Sequence, residues 1–249
     1  MKIAGLPCYN HTSSYRYSEE KDLDNRLKPE SKKSIIRCAH EVLLRDGFDE
    51  FSIRKVAAEC GCGVSSIYRH FSSKDELLLY AATRNINSYL KELSLTWEKG
   101  GNSLYNYFSV EQSFAKYTFA EPLLFYNMYF GPVSHLLDRI FEESKELFPD
   151  VYSSMTEDLL GVLSVSGGIA ARNLAMLERC CQDGFLQISA PNLILLNEGL
   201  IRMYRGFLDE AILLQRRGEN TDELKQMYLS AHRLMHQSFL SADVSLPPL

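Results

Sequence analysis

The sequence predicts an all-α protein in which an N-terminal head of three helices precedes a larger helical body. Apolar residues recur at helical spacing along most of the chain, and no segment alternates polar and apolar residues as a strand does. Glycines and prolines fall between segments of helix length. The predicted parts are a disordered leader over residues 1–28, a head over 29–76, a body over 77–241 and a tail over 242–249.

Composition points to a globular protein with a substantial core. Hydrophobic residues make up 45% of the 249 residues and charged residues 24%, which are ordinary values for soluble domains. No apolar run approaches the ~20 residues that a membrane-spanning helix needs. The N-terminus has no apolar segment typical of a secretory signal. We therefore expect a cytoplasmic protein that does not enter a membrane.

The first predicted helix runs from near Pro29 or Glu30 to Asp46. Proline suits a first helical turn, and Gly47 ends the helix. His40 is expected on its surface. One apolar stripe should form the core face of this helix, namely Ile35, Ile36, Ala39, Val42 and Leu43.

The next segment has the pattern of a helix-turn-helix. Ser52 is a good N-cap for a helix that Gly61 ends, and Gly63 can cap a second short helix. Ile67 and Phe71 should face inward. The residues left facing outward are Val64, Ser65, Ser66, Tyr68 and His70. No acid lies between Gly61 and Phe71, so this face suits a negatively charged duplex, and the turn would place the helix in a major groove.

This region resembles the DNA-binding head of TetR-type (TetR/AcrR) transcriptional regulators. The resemblance covers about residues 30–80 and is carried most specifically by Ile67-Tyr68-Arg69-His70-Phe71 followed by Ser72-Ser73-Lys74-Asp75-Glu76. It implies a ligand-responsive repressor that binds a palindromic DNA operator as a homodimer, and with the aromatic cluster described below we expect a small apolar or aromatic effector to release it.

The resemblance also implies roles for individual residues. Those matching positions that reach base edges are Arg54, Val64, Ser65 and Ser66. Those matching positions that hold phosphates are Ser52, Tyr68, His70 and Lys74. Gly63 and Lys55 depart from the family, which more often has Ser or Ala at the first position and an acid at the second; we count Lys55 among the DNA-binding candidates.

Charge is distributed in keeping with a DNA-binding head. The formal net charge is −5. The excess of acids lies in the body, whereas Glu59 is the only acid from Lys55 to Lys74. Phosphate should therefore repel the body and leave the head on the duplex.

The cysteines and histidines do not predict a metal site, and no cofactor is expected. The six cysteines should be reduced, mostly buried residues. Cys60 and Cys62 lack a second pair of ligands at zinc-binding spacing. His232 and His236 lie four residues apart, but no acid stands nearby, so we expect them on the surface.

A linking helix and an aromatic cluster open the body. The helix should run as one rigid rod from Lys74 to about Trp97 and break at Gly100-Gly101. Ten aromatic residues follow between positions 105 and 130. They could form an ordinary helical core, or the wall of an effector pocket with Glu121, Asn127 and His135 as polar groups. The candidate effector-binding residues are Tyr105, Phe108, Phe114, Tyr117, Tyr126 and Tyr129.

Two C-terminal helices carry apolar stripes. The first stripe is Leu193, Leu196, Leu200, Met203, Tyr204, Phe207, Ala211 and Leu214, and the second is Leu224, Met227, Tyr228, Ala231, Leu234 and Met235. The resemblance implies that these helices form the dimer interface; burial within one chain is the alternative.

Two other functions remain open. The body could recruit a protein partner instead of a small molecule, which a body without a cavity would favour. A helical enzyme is disfavoured, because the sequence contains no pattern of nucleophilic catalysis and no phosphate-binding glycine loop, so no catalytic residue is predicted.

Overall fold

The computed structural model describes residues 28, 30–97, 102–153 and 155–248, with the side chain of Asn85 left out. The leader predicted over residues 1–28 and the break predicted at Gly100-Gly101 lie almost wholly outside these ranges. Within them the protein is all-α, as predicted. The helices are α1 (Lys32–Asp46), α2 (Ile53–Cys60), α3 (Val64–Tyr68), α4 (Lys74–Asn85), α5 (Asn87–Thr96), α6 (Ser103–Ala120), α7 (Pro122–Phe130), α8 (Leu137–Leu147), α9 (Pro149–Tyr152), α10 (Glu157–Leu163), α11 (Gly168–Gln182), α12 (Ala190–Arg216) and α13 (Asp222–Gln237).

Local capping explains the helices of the head. Ser31 caps α1 by accepting a hydrogen bond from the Ser34 backbone N–H at 3.2 Å, so α1 begins slightly later than predicted. Ser52 caps α2 in the same way. Gly61 ends α2 in the left-handed conformation at φ 64°, which favours glycine. The core between the three helices contains Ile35, Ile36, Val56, Ile67 and Phe71, each at most 1% exposed.

His40 is half-buried between α1 and α4, which corrects the prediction that it lies on the surface. Its Nδ1 lies 3.3 Å from the carbonyl oxygen of Ala81 in α4. Burial and the nearby charge of Arg84 lower the pKa of His40 to about 4. The prediction failed because α4 packs along α1 and covers a position that the core stripe of α1 does not include.

The linking rod is two helices. The helix predicted from Lys74 to Trp97 is interrupted at Ile86, with φ −77° and ψ 0°, where α4 ends and α5 begins. The two asparagines that flank Ile86 in the sequence have low helix propensity. The side chain of Ile86 is buried, so the break is fixed by packing against the body.

The body packs around the long helix α12. This helix contacts α6, α7, α11 and α13, while α8 lies against α4. Its inward face is buried in the same chain, through Leu193, Leu196, Leu200, Tyr204, Leu208 and Ala211. Large apolar side chains on the outer faces of α12 and α13 remain exposed, namely Ile194, Leu195, Leu213, Met227 and Leu234. Among the helices that the structure describes, none has the length and hydropathy of a membrane-spanning segment.

His232 and His236 are buried, which corrects the prediction that they lie on the surface. Their exposed fractions are 2% and 0%, and their rings contact Tyr107 and Phe108. The histidines continue at four-residue spacing the inward face that Tyr228 helps to form. Among the described residues no group of three or more histidine, cysteine or acidic side chains is arranged to hold a metal.

Candidate nucleic-acid interface and ligand cavity

Helix α3 presents a polar face to solvent. Ile67 is fully buried, whereas Val64 and Tyr68 are 38% and 53% exposed. Ser65 and His70 are also exposed, and Ser66 is partly covered. One buried anchor on a five-residue helix leaves the neighbouring side chains pointing outward. The resulting face has the size and polarity of a helix that enters a DNA groove.

An acid that is distant in sequence reaches this face. The Glu30 carboxylate accepts hydrogen bonds from Ser66 at 3.1 Å and from Arg69 at 2.5 Å, and both lower its pKa. His70 Nε2 lies 2.9 Å from the Glu30 carbonyl oxygen. The sequence has no acid between Gly61 and Phe71, and the approach of Glu30 could not be predicted because its contacts span 36 to 40 residues. Glu30 compensates the charge of Arg69.

The remaining candidates divide into occupied and available groups. Ser52 uses its hydroxyl to cap α2. The Lys55 ammonium donates to the Glu50 carbonyl oxygen at 2.9 Å and lies 3.1 Å from Asp46. Arg54 and Lys74 are exposed and have no ion-pair partner among the described residues. Arg54 and Lys74 are therefore the basic groups on the head that are most available to a phosphate or base.

The body encloses a cavity. About 840 Å³ is free of atoms there, including the space at its mouth, and side chains from α5, α6, α7, α8, α10, α11, α12 and α13 line it. Its aromatic lining is Tyr89, Phe114, Tyr129, Phe141, Tyr204 and Tyr228. Its charged or polar lining is Glu111, Arg172, Asn173 and His232. Ile86, the residue at the break between α4 and α5, lies in the same wall.

Two of the six predicted effector-binding residues, Phe114 and Tyr129, line this cavity. The other four lie elsewhere for identifiable reasons. Tyr105 is exposed, and Phe108 packs edge-on against the two buried histidines. The Tyr117 hydroxyl donates to Glu92 at 3.1 Å. The Tyr126 hydroxyl accepts from Arg205 at 3.0 Å.

The proposed polar groups also lie outside the lining: Glu121 and His135 are exposed, and Asn127 donates to the Leu123 carbonyl oxygen at 2.8 Å. Because side chains repeat around a helix every 3.6 residues, only one face of α6 and one face of α7 point toward the cavity. Many aromatic residues in this segment therefore do not line it. The lining residues that the sequence analysis missed come from helices far apart in the chain. Glu111 was detectable as a charge on an otherwise apolar face of α6.

The two charged groups in the lining have different surroundings. Arg172 Nη2 donates to Asp138 at 2.6 Å, and its Nε donates to the Leu163 carbonyl oxygen at 3.1 Å. Its charge is thus compensated. Burial raises the pKa of Glu111 to about 7, although a hydrogen bond from Tyr228 opposes that shift. His232 lies 3.8 Å from the Glu111 carboxylate, but burial lowers the pKa of His232 to about 3, so the imidazole is neutral.

A polar network connects the head to helix α8. Lys32 in α1 donates to the Tyr80 hydroxyl at 2.9 Å and to the Glu143 carboxylate. Tyr80 also donates to Glu143 at 2.6 Å, and Arg139 donates to Glu76 at 2.6 Å. We call these five residues the head–body network. Helix α8 carries two of them and also contributes Phe141 to the cavity wall.

Known proteins resemble the chain in two ways. The model of bacterial regulatory proteins of the tetR family matches residues 35–81. The HTH-type transcriptional regulator SAB2452 of Staphylococcus aureus (strain bovine RF122 / ET3-1) is 30% identical over 63 residues, which is 25% of this chain and 34% of that protein. The regulator SAUSA300_2515 of strain USA300 is 30% identical over 61 residues, 24% of this chain and 33% of that protein. The matched part spans about a third of these curated relatives.

Solved structures share the fold of most of the chain. A variant of TetR from Acinetobacter baumannii AYE in complex with minocycline has a TM-score of 0.50 at 16% identity, covering 84% of this chain and 95% of that one. Thermus thermophilus FadR, a TetR family transcriptional repressor in complex with lauroyl-CoA, has a TM-score of 0.50 at 16% identity, covering 86% and 97%. At this identity the likeness concerns the fold alone.

Proposed function

We propose that the chain, whose residues 35–81 match the model of the tetR family of regulatory proteins, is a cytoplasmic repressor of that family that binds a palindromic operator as a homodimer. We also propose that a small molecule bound in the body cavity releases it from DNA. The observation that carries the first part is the exposed polar face of α3, flanked by two available basic side chains.

The DNA contacts follow from the chemistry of that face. Arg54 can donate two hydrogen bonds to a guanine, Ser65 can bond to several bases, and Val64 can contact a thymine methyl. Tyr68 can donate to a phosphate. Lys74 stands at the first residue of α4, where the helix dipole also favours a phosphate. Lys55 contributes less, because nearby acids already compensate its charge.

The exposed apolar residues of α12 and α13 support a dimer. Leu195 is 68% exposed and Leu234 66%, and isolated monomers seldom expose several such side chains on adjacent helices. A two-fold interface would cover the same patch on both subunits. It would also set the separation of the two α3 helices to match successive major grooves.

The cavity favours the hypothesis that the body binds a small-molecule effector over the hypothesis that it only recruits a protein partner. Its lining is mainly apolar with a few polar groups, as is typical of pockets that bind small molecules. Two routes connect it to the head. Ile86 lies in its wall at the break between α4 and α5, and α8 links the wall to the head–body network. A ligand that fits one arrangement of these helices better than the other would shift the separation of the heads.

The test of DNA binding starts by selecting duplexes from a random pool with the full chain. The selected sequence should be palindromic, and the complex should contain two subunits. Replacing Arg54 and Lys74 together by Ala should weaken binding at least tenfold. The matched control replaces Arg216 and Arg217 by Ala. These substitutions remove the same amount of positive charge from an exposed end of α12. Equal losses in both variants would show that net charge, rather than this face, governs binding.

A further inference from the structure

The cavity holds one carboxyl group that no cation compensates. Glu111 lies in the lining and is nearly fully buried. The Tyr228 hydroxyl donates a hydrogen bond to Glu111 Oε1. Aromatic rings stand close together around the same space. Phe114 lies 5.0 Å from Tyr204 and 5.7 Å from Tyr129 between ring centroids.

None of the groups that face Glu111 supplies a free positive charge that would compensate its carboxylate. Helix α13 contributes Tyr228 and the neutral His232 and His236, and α6 contributes Tyr107. Helices α5, α7 and α12 contribute only tyrosine hydroxyls to the titratable groups of the lining, namely Tyr89, Tyr129 and Tyr204. Helix α11 contributes Arg172, whose charge Asp138 compensates. No lysine or arginine forms an ion pair with Glu111 in the part of the chain that the structure describes.

Building on the proposed role of the cavity as the effector site, we propose that the effector is a lipophilic cation whose positive charge pairs with the Glu111 carboxylate. Its apolar part would lie against the surrounding tyrosine and phenylalanine rings. Aromatic faces attract cations, most strongly where water is excluded. An anionic ligand would instead meet the Glu111 carboxyl and an arginine already paired with Asp138.

Binding a cation should release a proton. Burial raises the pKa of Glu111 to about 7, so below neutral pH the free protein carries this carboxyl protonated. The cation favours the carboxylate, and the proton leaves to the buffer. The affinity for a cation should therefore rise with pH by about tenfold per unit up to about pH 7 and then level off. An alkylamine stays protonated over this range, because its pKa resembles the ~10.4 of lysine.

The experiment compares three probes that share one skeleton and differ in charge at neutral pH. They are phenylbutylamine, which is a cation, phenylbutanol, which is neutral, and phenylbutyrate, which is an anion. Calorimetric titration of the full-length protein at pH 6 and 8, in two buffers that differ in ionisation enthalpy, gives each affinity and the number of protons released. The same titrations are run on Glu111→Gln and on Glu146→Gln, an exposed carboxyl that serves as the control.

The amine should bind at least tenfold more tightly than the alcohol at pH 8, with the carboxylate weakest. Its binding at pH 6 should release close to one proton. Glu111→Gln should reduce the preference for the amine to less than about threefold, while Glu146→Gln retains it. If Glu111→Gln does not fold, the pH dependence and proton release of the unmodified protein still decide the question.

Three results would overturn the inference: equal binding of amine and alcohol, tightest binding of the carboxylate, or no binding of any probe. The first two would leave an effector cavity with a different ligand class. None of the three bears on operator selection, which tests the proposed DNA binding separately.

Discussion

The candidate site of the head is built from residues close in sequence, whereas that of the body is built from helices far apart in the chain. In the head, the candidate DNA contacts lie on α2, α3 and the start of α4, close in sequence and mostly exposed. In the body, eight helices contribute to the cavity, and its polar residues Glu111 and His232 are buried. Substitutions at the head surface should thus change binding with little change in stability. Substitutions in the cavity should change both, so they need controls that separate the two effects.

The largest expected effect tests whether the head depends on its small core. Ile67→Ala removes a fully buried side chain from α3 and should lower the free energy of unfolding by ~2–5 kcal/mol. Tyr68→Ala, one residue later and exposed, should change stability by less than ~0.5 kcal/mol yet weaken DNA binding. Chemical denaturation and duplex titration of both variants measure these effects. Equal loss of stability would mean that Tyr68 also supports the fold.

The next effect concerns sequence reading by the exposed face of the head. Arg54→Ala should cost ~1–3 kcal/mol of binding free energy on the selected operator and much less on a random duplex. Lys74→Ala should weaken both duplexes alike and reduce the salt dependence by about one counterion. Titrations on both duplexes at several salt concentrations separate the two roles. A uniform loss for Arg54→Ala would move that residue to the phosphate contacts.

Buried histidines should make both regions sensitive to acid. The pKa of His236 in the body is lowered to about 3 by burial and by His232, and that of His40 in the head to about 4. The unfolded chain takes up these protons near pH 6.5, so stability falls as pH drops below that value. Each histidine contributes about 1.4 kcal/mol per pH unit. Glu111 opposes this trend between about pH 4.5 and 7. In that range the carboxyl is protonated in the native state but ionised in the unfolded chain, so its contribution to stability rises as pH falls.

Denaturation from pH 7 to 4.5 measures this acid sensitivity. His236→Asn keeps a donor for the His232 carbonyl and should flatten the pH dependence of stability, and His40→Asn should do the same from the head. Glu111→Gln should steepen it. An unchanged slope in His236→Asn would mean that this imidazole becomes protonated in the native protein.

The smallest expected effect concerns communication between the two regions. Glu143→Gln weakens the acceptor for Lys32 and Tyr80 in the head–body network. It should reduce the coupling between ligand and operator by ~0.5–2 kcal/mol while leaving the cavity lining in place. Glu146→Gln, one turn along α8 and exposed, is the control. If the coupling is unchanged in Glu143→Gln, the break between α4 and α5 at Ile86, rather than the head–body network, transmits the effect of the ligand.

Sequence reasoning succeeded where local chemistry decides the structure. Ser52 and Gly61 determine the limits of α2 through a cap and a positive φ, so the helix-turn-helix could be predicted from neighbouring residues. It failed where distant helices meet. Glu30 reaches α3 across 36 residues, and α4 covers His40, which no periodicity within α1 reveals.

The errors in the body have the same origin, with one exception. The cavity lining and the break at Ile86 depend on how α5 packs against helices far along the chain. The inward position of His232 and His236, however, could have been inferred from their four-residue spacing with Leu224 and Tyr228, a periodicity typical of a buried helix face.

The most direct test of the account is whether the cavity and the operator oppose each other. Operator affinity is measured with and without saturating phenylbutylamine, and phenylbutylamine affinity with and without operator. The account predicts that each weakens the other by the same factor, about 5- to 150-fold, because linkage is reciprocal. Operator affinity that stays unchanged while the cavity is saturated would contradict it.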